Sequence, residues 1–228
     1  ILVGRTTAFT DLPLLLAITI LCGWLLHDGS LTAFDASVLS AALLLYFIRI
    51  AIHLRKPGVN DDTSEMESLP IGKAVGAFFV GLVLLVGSSK VLVWAAVNIA
   101  AGFGVSELVI GLTIVALGTS LPELAASMLS ALKGHADIAI GAVVGSNMFN
   151  LLIVLALPGF FAPLTLSITD IQRDLGTVFV TTATLAALTW LGWRKEANHA
   201  LLGRAAGCLF LSFYVGYCLW IYYDISKV

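Results

Sequence analysis

Charge is what this sequence has least of. Only 11% of its 228 residues are Asp, Glu, Lys or Arg, whereas soluble domains carry about 25%. Hydrophobic residues make up 59% of the chain, and this composition excludes an ordinary soluble domain. The net charge is −2, and no basic cluster with interleaved aromatic residues is present. The sequence therefore predicts no nucleic-acid partner.

Cysteine is scarce as well, and its placement does not indicate a metal centre. Cys22, Cys208 and Cys218 all lie in apolar segments and have no metal-ligand spacing. The chain also lacks a His-Glu-x-x-His motif. Ser120 has no His or Lys at membrane depth beside it that would activate it as a nucleophile. We therefore predict that the chain is not an enzyme and that it holds no cofactor.

Long apolar runs are what the chain has in abundance. A helix crosses the hydrocarbon core of a bilayer with about 20 such residues. Together the runs predict an all-α multi-pass membrane protein of about seven transmembrane helices, located in the cell membrane (inner or plasma membrane). The predicted spans are Leu12–Leu26, Ala36–Ile52, Lys73–Ala101, Ser106–Leu132, Ile138–Phe161, Leu175–Trp193 and Ala200–Tyr223.

Basic residues alternate between the links that join these spans. They lie before the first span and in or beside the links after the second, fourth and sixth spans, at Arg5, Arg49, Arg55, Lys56, Lys73, Lys133, Arg194, Lys195 and Arg204. The other links hold almost none, with Arg173 as the exception. Because basic links stay on the cytoplasmic side, the chain is predicted to start inside and end outside. The acidic, Pro-bounded stretch after the second span then becomes a flexible cytoplasmic connector.

Glu123 lies inside an otherwise uncharged stretch from Leu108 to Leu132. A charge near the centre of a membrane helix costs roughly 2.5–3.5 kcal/mol on insertion scales, so such residues usually have a function. Pro122 has no backbone N–H, so the carbonyl of Gly118 loses its usual helical partner. Thr119 and Ser120 lie four and three residues before Glu123, on nearly the same helix face. These residues offer hydroxyl, carbonyl and carboxylate oxygens, the ligands that hard cations prefer.

The following span carries a matching polar group. Ser146 and Asn150 are four residues apart on one helix face, and Asn147 lies three residues before Asn150. The link from Lys133 to Asp137 is short, which predicts an antiparallel helix pair. Small and polar residues also mediate close helix packing in membranes. Beside the proline-interrupted helix that carries Glu123, we favour an ion site.

At these residues the sequence resembles the calcium/cation antiporter superfamily, in particular the sodium/calcium exchangers of prokaryotic type. The resemblance is carried by Gly-Thr-Ser-Leu-Pro-Glu-Leu at 118–124 and Gly-Ser-Asn-Met-Phe-Asn at 145–150. It implies an exchanger fold of ten helices in two inverted repeats, each giving one helix pair to a central site. Residues 1–54 would be the last two helices of the first repeat, 55–72 the cytoplasmic connector and 73–228 the complete second repeat. The helices before Leu12, with their own acidic motif, would then be missing.

The resemblance also implies a site and a mechanism. Glu123 would be the carboxylate shared by Ca²⁺ and Na⁺, with oxygens added by Thr119 and Ser120. Ser146 and Asn150 would face them from the next helix, with Asn147 as a further candidate. The protein would be a secondary active antiporter that exchanges Ca²⁺ for Na⁺ by alternating access. Its predicted partners are Ca²⁺, Na⁺, the lipid bilayer and the missing N-terminal helices, and a homo-oligomer is left open.

Two other readings of the sequence stay open. A proton-coupled antiporter for calcium or another cation would use Glu123 to carry protons. A non-transporting scaffold would leave the charge of Glu123 unexplained. One carboxylate does not neutralise a divalent ion, and this helix pair falls short of the six to eight oxygens that Ca²⁺ takes. The sequence therefore predicts half of a binding site.

Overall fold

The computed structural model describes residues 1–54, 70–105, 110–194 and 196–225. Nine α-helices are present in these ranges, and short π-helical turns precede or follow some of them. The helices are α1 (Leu12–Leu25), α2 (Ala33–Leu54), α3 (Ile71–Gly102), α4 (Ala116–Thr119), α5 (Leu121–Leu132), α6 (Ala136–Phe149), α7 (Leu157–Phe161), α8 (Ile168–Leu191) and α9 (Arg204–Ile225). The π-helical turns are Thr7–Asp11, Gly111–Val115 and Asn150–Val154.

Six helical segments within the described residues are long and apolar enough to cross a membrane, by length and composition. They are Thr7–Asp28, Ala33–Ile52, Ile71–Gly102, Ala136–Phe161, Ile168–Leu191 and Arg204–Asp224. The predicted span Ser106–Leu132 starts with four residues outside the described ranges and is interrupted at Ser120. Its second half, Leu121–Leu132, is an apolar helix of shorter length. The prediction of a multi-pass helical membrane fold is confirmed.

Several span boundaries differ from the prediction, and two of the differences have a clear local reason. The sixth span begins at Ile168 rather than Leu175, because Arg173 pairs with neighbouring carboxylates and the charged turns stay helical. The seventh begins at Arg204 rather than Ala200, because residues before it form a β-strand. Hydropathy alone places boundaries at charges and does not recognise charges that neutralise one another.

Five short strands, which the sequence did not predict, lie in the links between helices. They are β1 (Leu2–Gly4), β2 (Ser30–Leu31), β3 (Leu164–Thr165), β4 (Trp193–Arg194) and β5 (His199–Leu201). β5 pairs antiparallel with both β1 and β4, and β2 pairs antiparallel with β3. Each sheet joins links that the charge pattern assigns to one side of the membrane. The strand pairing therefore agrees with the predicted alternation of sides.

The chain divides into two compact units, one of Ile1–Arg55 with Ser127–Val228 and the other of Lys56–Ala126. In the first unit α1 supplies much of the core, and it packs against α8 and α6. Leu12, Leu15 and Cys22 of α1 are almost completely buried, together with Met148 and Leu152. The core therefore forms around the first helix of the chain.

The helix α7 is held close to α2 by a glycine. A Cβ atom built on Gly159 would lie 2.9 Å from the carbonyl oxygen of Thr32 and 3.2 Å from the Cβ of Ala36. Real Cβ atoms do not approach backbone oxygens so closely, so only glycine allows this packing. The contact fixes the chain directly after the π-helical turn that begins at Asn150.

The second unit consists of α3, the π-helical turn Gly111–Val115, α4 and the start of α5. None of the 32 residues of α3 is buried. α3 contacts both the π-helical turn and α4. Its large apolar side chains, among them Phe78, Phe79 and Trp94, are exposed, as expected of a helix whose surroundings are apolar. The division into repeats at residues 54 and 73 stays a prediction.

Candidate ion-binding site

The fourth predicted span is interrupted where the sequence predicts. α4 ends at Thr119 and α5 begins at Leu121, with a turn at Ser120 between them. The N–H of Ser120 donates to the carbonyl of Leu117 at 3.1 Å, and the regular i→i−4 pattern resumes with Leu124 N–H to Ser120 O at 3.0 Å. Pro122 has no N–H to offer the preceding turn. The last carbonyls of α4 therefore end in the turn instead of continuing a helix.

The ends of these two short helices carry opposite partial charges. The C-terminal end of a helix is partially negative, because its carbonyls lack N–H partners, and the N-terminal end is partially positive. At Ser120 the carbonyl end of α4 meets the first turn of α5, which contains Glu123. Carbonyls at such breaks coordinate cations in membrane transporters. The carbonyls of α4 are thus ligand candidates, and among them the sequence predicted only that of Gly118.

The interruption is anchored to α3 by close packing. Gly118 is buried, and a Cβ atom built on it would overlap the side chain of Val93, whose own Cβ would lie only 3.2 Å away. By contrast Thr119, Ser120 and Glu123 are exposed within the described structure. Glycine at 118 thus permits α3 to approach the backbone at the break, while the candidate ligands stay accessible.

The hydroxyl of Thr119 is hydrogen-bonded within its own helix. Its Oγ1 donates a hydrogen bond to the carbonyl of Ala116 at 2.9 Å. A hydroxyl whose proton is committed in this way presents its lone pairs outward. Lone pairs, not the proton, are what a hard cation binds. The local hydrogen bond therefore agrees with the predicted ligand role of Thr119, which stays a prediction.

The second candidate segment repeats this arrangement. The Oγ of Ser146 in α6 donates to the carbonyl of Val143 at 3.0 Å, again to a residue three positions earlier. Asn150 is exposed and begins a π-helical turn, in which its carbonyl accepts the N–H of Leu155 at 2.9 Å. Val144 and Met148 are buried on other faces of α6. Ser146 and Asn150 thus lie near the point where α6 changes to the wider π-helical turn.

Asn147 has different surroundings from Ser146 and Asn150. It lines a cavity of about 520 Å³ together with residues of α1, α6, α8 and the start of α9. Thr181, Thr182 and Arg204 are the other polar residues of its lining, and Ser146 and Asn150 do not belong to it. A role for Asn147 as an ion ligand stays a prediction.

The link between the two candidate segments is short, as predicted. α5 ends at Leu132 and α6 begins at Ala136. Gly134 lies between them at φ +87°, a left-handed conformation that favours glycine. The N–H of His135 donates to the carbonyl of Ser130 at 2.9 Å and closes the turn. Consecutive helices are thereby joined by a tight reversal.

The predicted site residues belong to different units of the structure. Thr119, Ser120 and Glu123 lie in the unit Lys56–Ala126, whereas Ser146 and Asn150 lie in the other. Each half is described by itself, and their assembly into one site stays a prediction. Within the described ranges no group of three or more His, Cys, Asp and Glu side chains is placed to hold a metal ion. Among the predicted ligands, Glu123 alone carries a carboxylate.

Comparison with known proteins places these motifs in a family. The profile of the family described as "Sodium/calcium exchanger protein" matches residues 73–223. The matched range contains both candidate segments and extends from α3 to α9.

Two similar proteins match nearly the whole chain. CaxA of Alkalimonas amylolytica is 36% identical over 225 residues, which covers 95% of this chain and 69% of CaxA. The inner membrane protein YrbG of Escherichia coli strain K12 is 32% identical over 219 residues, which covers 92% of this chain and 65% of YrbG. The matches extend through residues that precede the family profile.

The fold is similar to that of a solved exchanger structure. The sodium-calcium exchanger NCX_Mj, soaked with 2.5 mM Na⁺ and 10 mM Sr²⁺, superposes with a TM-score of 0.73 at 24% identity. The match covers 94% of this chain and 66% of that chain. Thus the chain spans about two thirds of the length of the proteins it matches. At this identity the similarity shows the fold.

Proposed function

The chain belongs to the sodium/calcium exchanger protein family, and we propose that it acts as a secondary active antiporter that exchanges Ca²⁺ for Na⁺. Glu123 is the ion-binding carboxylate in this proposal. Thr119, Ser120, Ser146 and Asn150 supply neutral oxygens, and Asn147 is a further candidate. The family is one of transporters, and we propose neither an enzymatic activity nor a resident cofactor.

The interrupted helix at Ser120 is the observation that carries this proposal. Membrane helices keep their backbone hydrogen bonds unless the exposed carbonyls face protein, water or an ion. Here the interruption lies beside Glu123 and beside Thr119, whose hydroxyl already donates its proton to the carbonyl of Ala116. Packing of Gly118 against Val93 stabilises the interruption. A carboxylate, carbonyls and a hydroxyl in one turn are suited to a hard cation.

The proposed mechanism is alternating access controlled by charge. An ion-free site that contains ionised carboxylates is costly to move through an apolar barrier. Binding of Ca²⁺ or Na⁺ lowers the net charge of the site and thereby permits the change of access. In this scheme α3 is the gating helix, because its surface has no buried residue and it packs directly on the interrupted segment.

The proposal also requires a second half-site. Ca²⁺ takes six to eight oxygens, and Glu123 supplies one carboxylate. We propose that N-terminal helices of the protein, in the portion of the relatives that this chain does not match, carry a second acidic motif. The cell membrane is the proposed location. The complete protein, including those helices, is the material for every transport experiment below.

Membrane vesicles provide the test of the counter-ion. We expect an outward Na⁺ gradient to drive ⁴⁵Ca²⁺ uptake in the presence of a protonophore that removes any pH gradient. Uptake that depends on the pH gradient and ignores Na⁺ would support the proton-coupled alternative. Absence of both uptake and Ca²⁺ binding would support a scaffold.

Replacement of Glu123 by Gln tests the site. The substitution keeps the shape of the side chain and removes its charge, so we expect Na⁺-driven Ca²⁺ exchange to be lost. Glu196→Gln is the matched control, because Glu196 is exposed in the turn between β4 and β5. It should exchange like the unmodified protein. Normal exchange by Glu123→Gln would refute the assignment of the carboxylate.

A further inference from the structure

A second cavity lies between α8 and α9, away from the candidate ion ligands. Its volume is about 450 Å³, which is within the range of ligand-binding cavities. Val180 of α8 and Phe213 and Trp220 of α9 supply its large apolar side chains. Its polar end is formed by Arg173 and Tyr217. The cavity is thus mainly apolar, with the hydroxyl residues Thr177, Thr181 and Ser212 in its wall and Arg173 at its polar end.

Two glycines on facing helices leave this space open. Gly176 of α8 and Gly216 of α9 line the cavity. A Cβ atom built on either glycine would meet no heavy atom within 4 Å. In addition, Ile221 is the one buried residue among the described side chains of α9. The two helices therefore do not close on each other along this face.

Three aspartates surround Arg173 at the polar end of the cavity, although none of the three is part of the cavity lining. The guanidinium of Arg173 is only 12% exposed and lies 2.7 Å from Asp174, 3.0 Å from Asp170 and 3.2 Å from Asp224. Tyr217 donates a hydrogen bond to Asp174 at 2.9 Å. One arginine among three aspartates leaves a charge of −2. All three carboxylates remain between 42% and 56% exposed.

The position of this polar end matches the level of lipid headgroups. Asp170 lies in the first turn of α8, and Asp224 ends the span of α9. The cavity then extends from Arg173 to Val180, seven residues along α8. At 1.5 Å per residue this is about 10 Å into the apolar layer. An occupant would have its polar part at the bilayer surface and its apolar part between the helices.

We propose that this cavity binds a phosphatidylethanolamine lipid. One acyl chain occupies the space between α8 and α9, and the primary ammonium donates hydrogen bonds to the exposed carboxylates of Asp170 and Asp224. A quaternary ammonium has no N–H to donate, so phosphatidylcholine binds less tightly. An anionic headgroup is repelled by the charge of −2. All three nitrogen positions of Arg173 are already engaged by carboxylates, so this residue does not attract phosphate.

Native mass spectrometry of the complete, detergent-purified protein tests the proposal. The protein is titrated with dioleoyl phosphatidylethanolamine, phosphatidylcholine or phosphatidylglycerol at equal concentrations. We expect the ethanolamine lipid to bind about tenfold more tightly than the other two, as one added charge-assisted hydrogen bond implies. Equal binding of all three lipids would overturn the proposal, as would the absence of any bound lipid, because the cavity would then be covered by protein.

Two kinds of substitution test the cavity and the carboxylates beside it independently. Gly216→Leu fills the cavity and should remove the bound ethanolamine lipid. Gly87→Leu of α3 is the control, since its Cβ also meets open space and the residue does not line this cavity. Asp170→Asn should reduce the preference for ethanolamine, since only the carboxylate of Asp224 then remains as an acceptor, while phosphatidylcholine binding changes less. Retention of the lipid by Gly216→Leu would refute the site.

The same spectra report whether a second copy occupies the cavity. A dimer that Gly216→Leu dissociates would show that a protein copy fills this space, and the lipid proposal would then be wrong. Both leucine variants must elute as folded protein in size-exclusion chromatography. If Gly216→Leu does not, Gly176→Leu fills the same cavity from α8 and replaces it. None of these readouts depends on ion exchange.

Discussion

Gly118→Ala is the substitution that most directly tests how the interrupted helix is held. The added Cβ would overlap the side chain of Val93 and lie 3.2 Å from its Cβ and 3.4 Å from its Cγ1. Extra methyl groups in a packed site cost about 1–3 kcal/mol. Alanine also favours helix over glycine by up to about 1 kcal/mol, which offsets part of this cost. With a cost near the middle of that range, we expect a net loss of stability of about 1–2 kcal/mol and reduced exchange.

A second substitution isolates the contact. Val93→Ala removes both Cγ atoms that the new Cβ would meet, so the double variant should recover both stability and exchange. Because Val93 is half-buried, its own truncation should cost less than the roughly 2–5 kcal/mol of a fully buried large-to-alanine change. The coupling free energy between the two sites should be about 1–3 kcal/mol.

Equilibrium unfolding of the complete protein in mixed micelles measures this coupling, and ⁴⁵Ca²⁺ exchange in vesicles measures its effect on transport. Gly87→Ala is the control, since a Cβ at this position of α3 meets open space. It should leave both measurements unchanged or raise stability slightly. If Gly118→Ala alone resembles the unmodified protein, or if Val93→Ala gives no recovery, the packing argument is wrong.

Two further substitutions address other contacts. Ser146→Ala should raise the Ca²⁺ concentration for half-maximal exchange about fivefold, the equivalent of roughly 1 kcal/mol, because one proposed ligand oxygen is lost. Ser88→Ala removes from α3 a hydroxyl that likewise donates to a carbonyl three residues earlier. It should leave the Ca²⁺ concentration for half-maximal exchange unchanged, and equal effects of the two substitutions would argue against a ligand role of Ser146. Tyr217→Phe removes the hydrogen bond to Asp174 and should lower the free energy of unfolding by about 1 kcal/mol. Tyr222→Phe is its exposed control, and equal unfolding free energies would contradict the role of this contact.

Much of the fold could be predicted because hydropathy and backbone chemistry are local properties. A run of apolar residues crosses the membrane as a helix whatever its neighbours are, since no other structure satisfies its backbone groups. Pro122 lacks an N–H in any context, so the interruption at Ser120 followed from one residue. Glu123 stood out for the same reason, because its charge is costly at that depth regardless of packing. The family resemblance rested on these two segments, and the family profile confirms it.

What the sequence could not supply concerns groups that are distant along the chain. The strands β1 and β5 are about 200 residues apart, and their pairing depends on the packing of the helices between them. From the sequence, the charged residues at the start of α8 indicate the end of a membrane span. Only the packing of the helices brings Asp224 to Arg173. Asn147 shares a helix with Ser146, yet its surroundings are set by α8 and α9.

The sequence by itself determined that this protein spans the membrane, where its fourth span breaks and which oxygen-bearing residues lie at the break. The reason is that hydrophobicity, the missing N–H of proline and the chemistry of side chains belong to individual residues. Only the tertiary structure decided that Gly118 packs against Val93 and that a cavity with carboxylates beside its polar end lies between α8 and α9. Those features depend on which helix faces touch, and that is settled by packing of the whole fold.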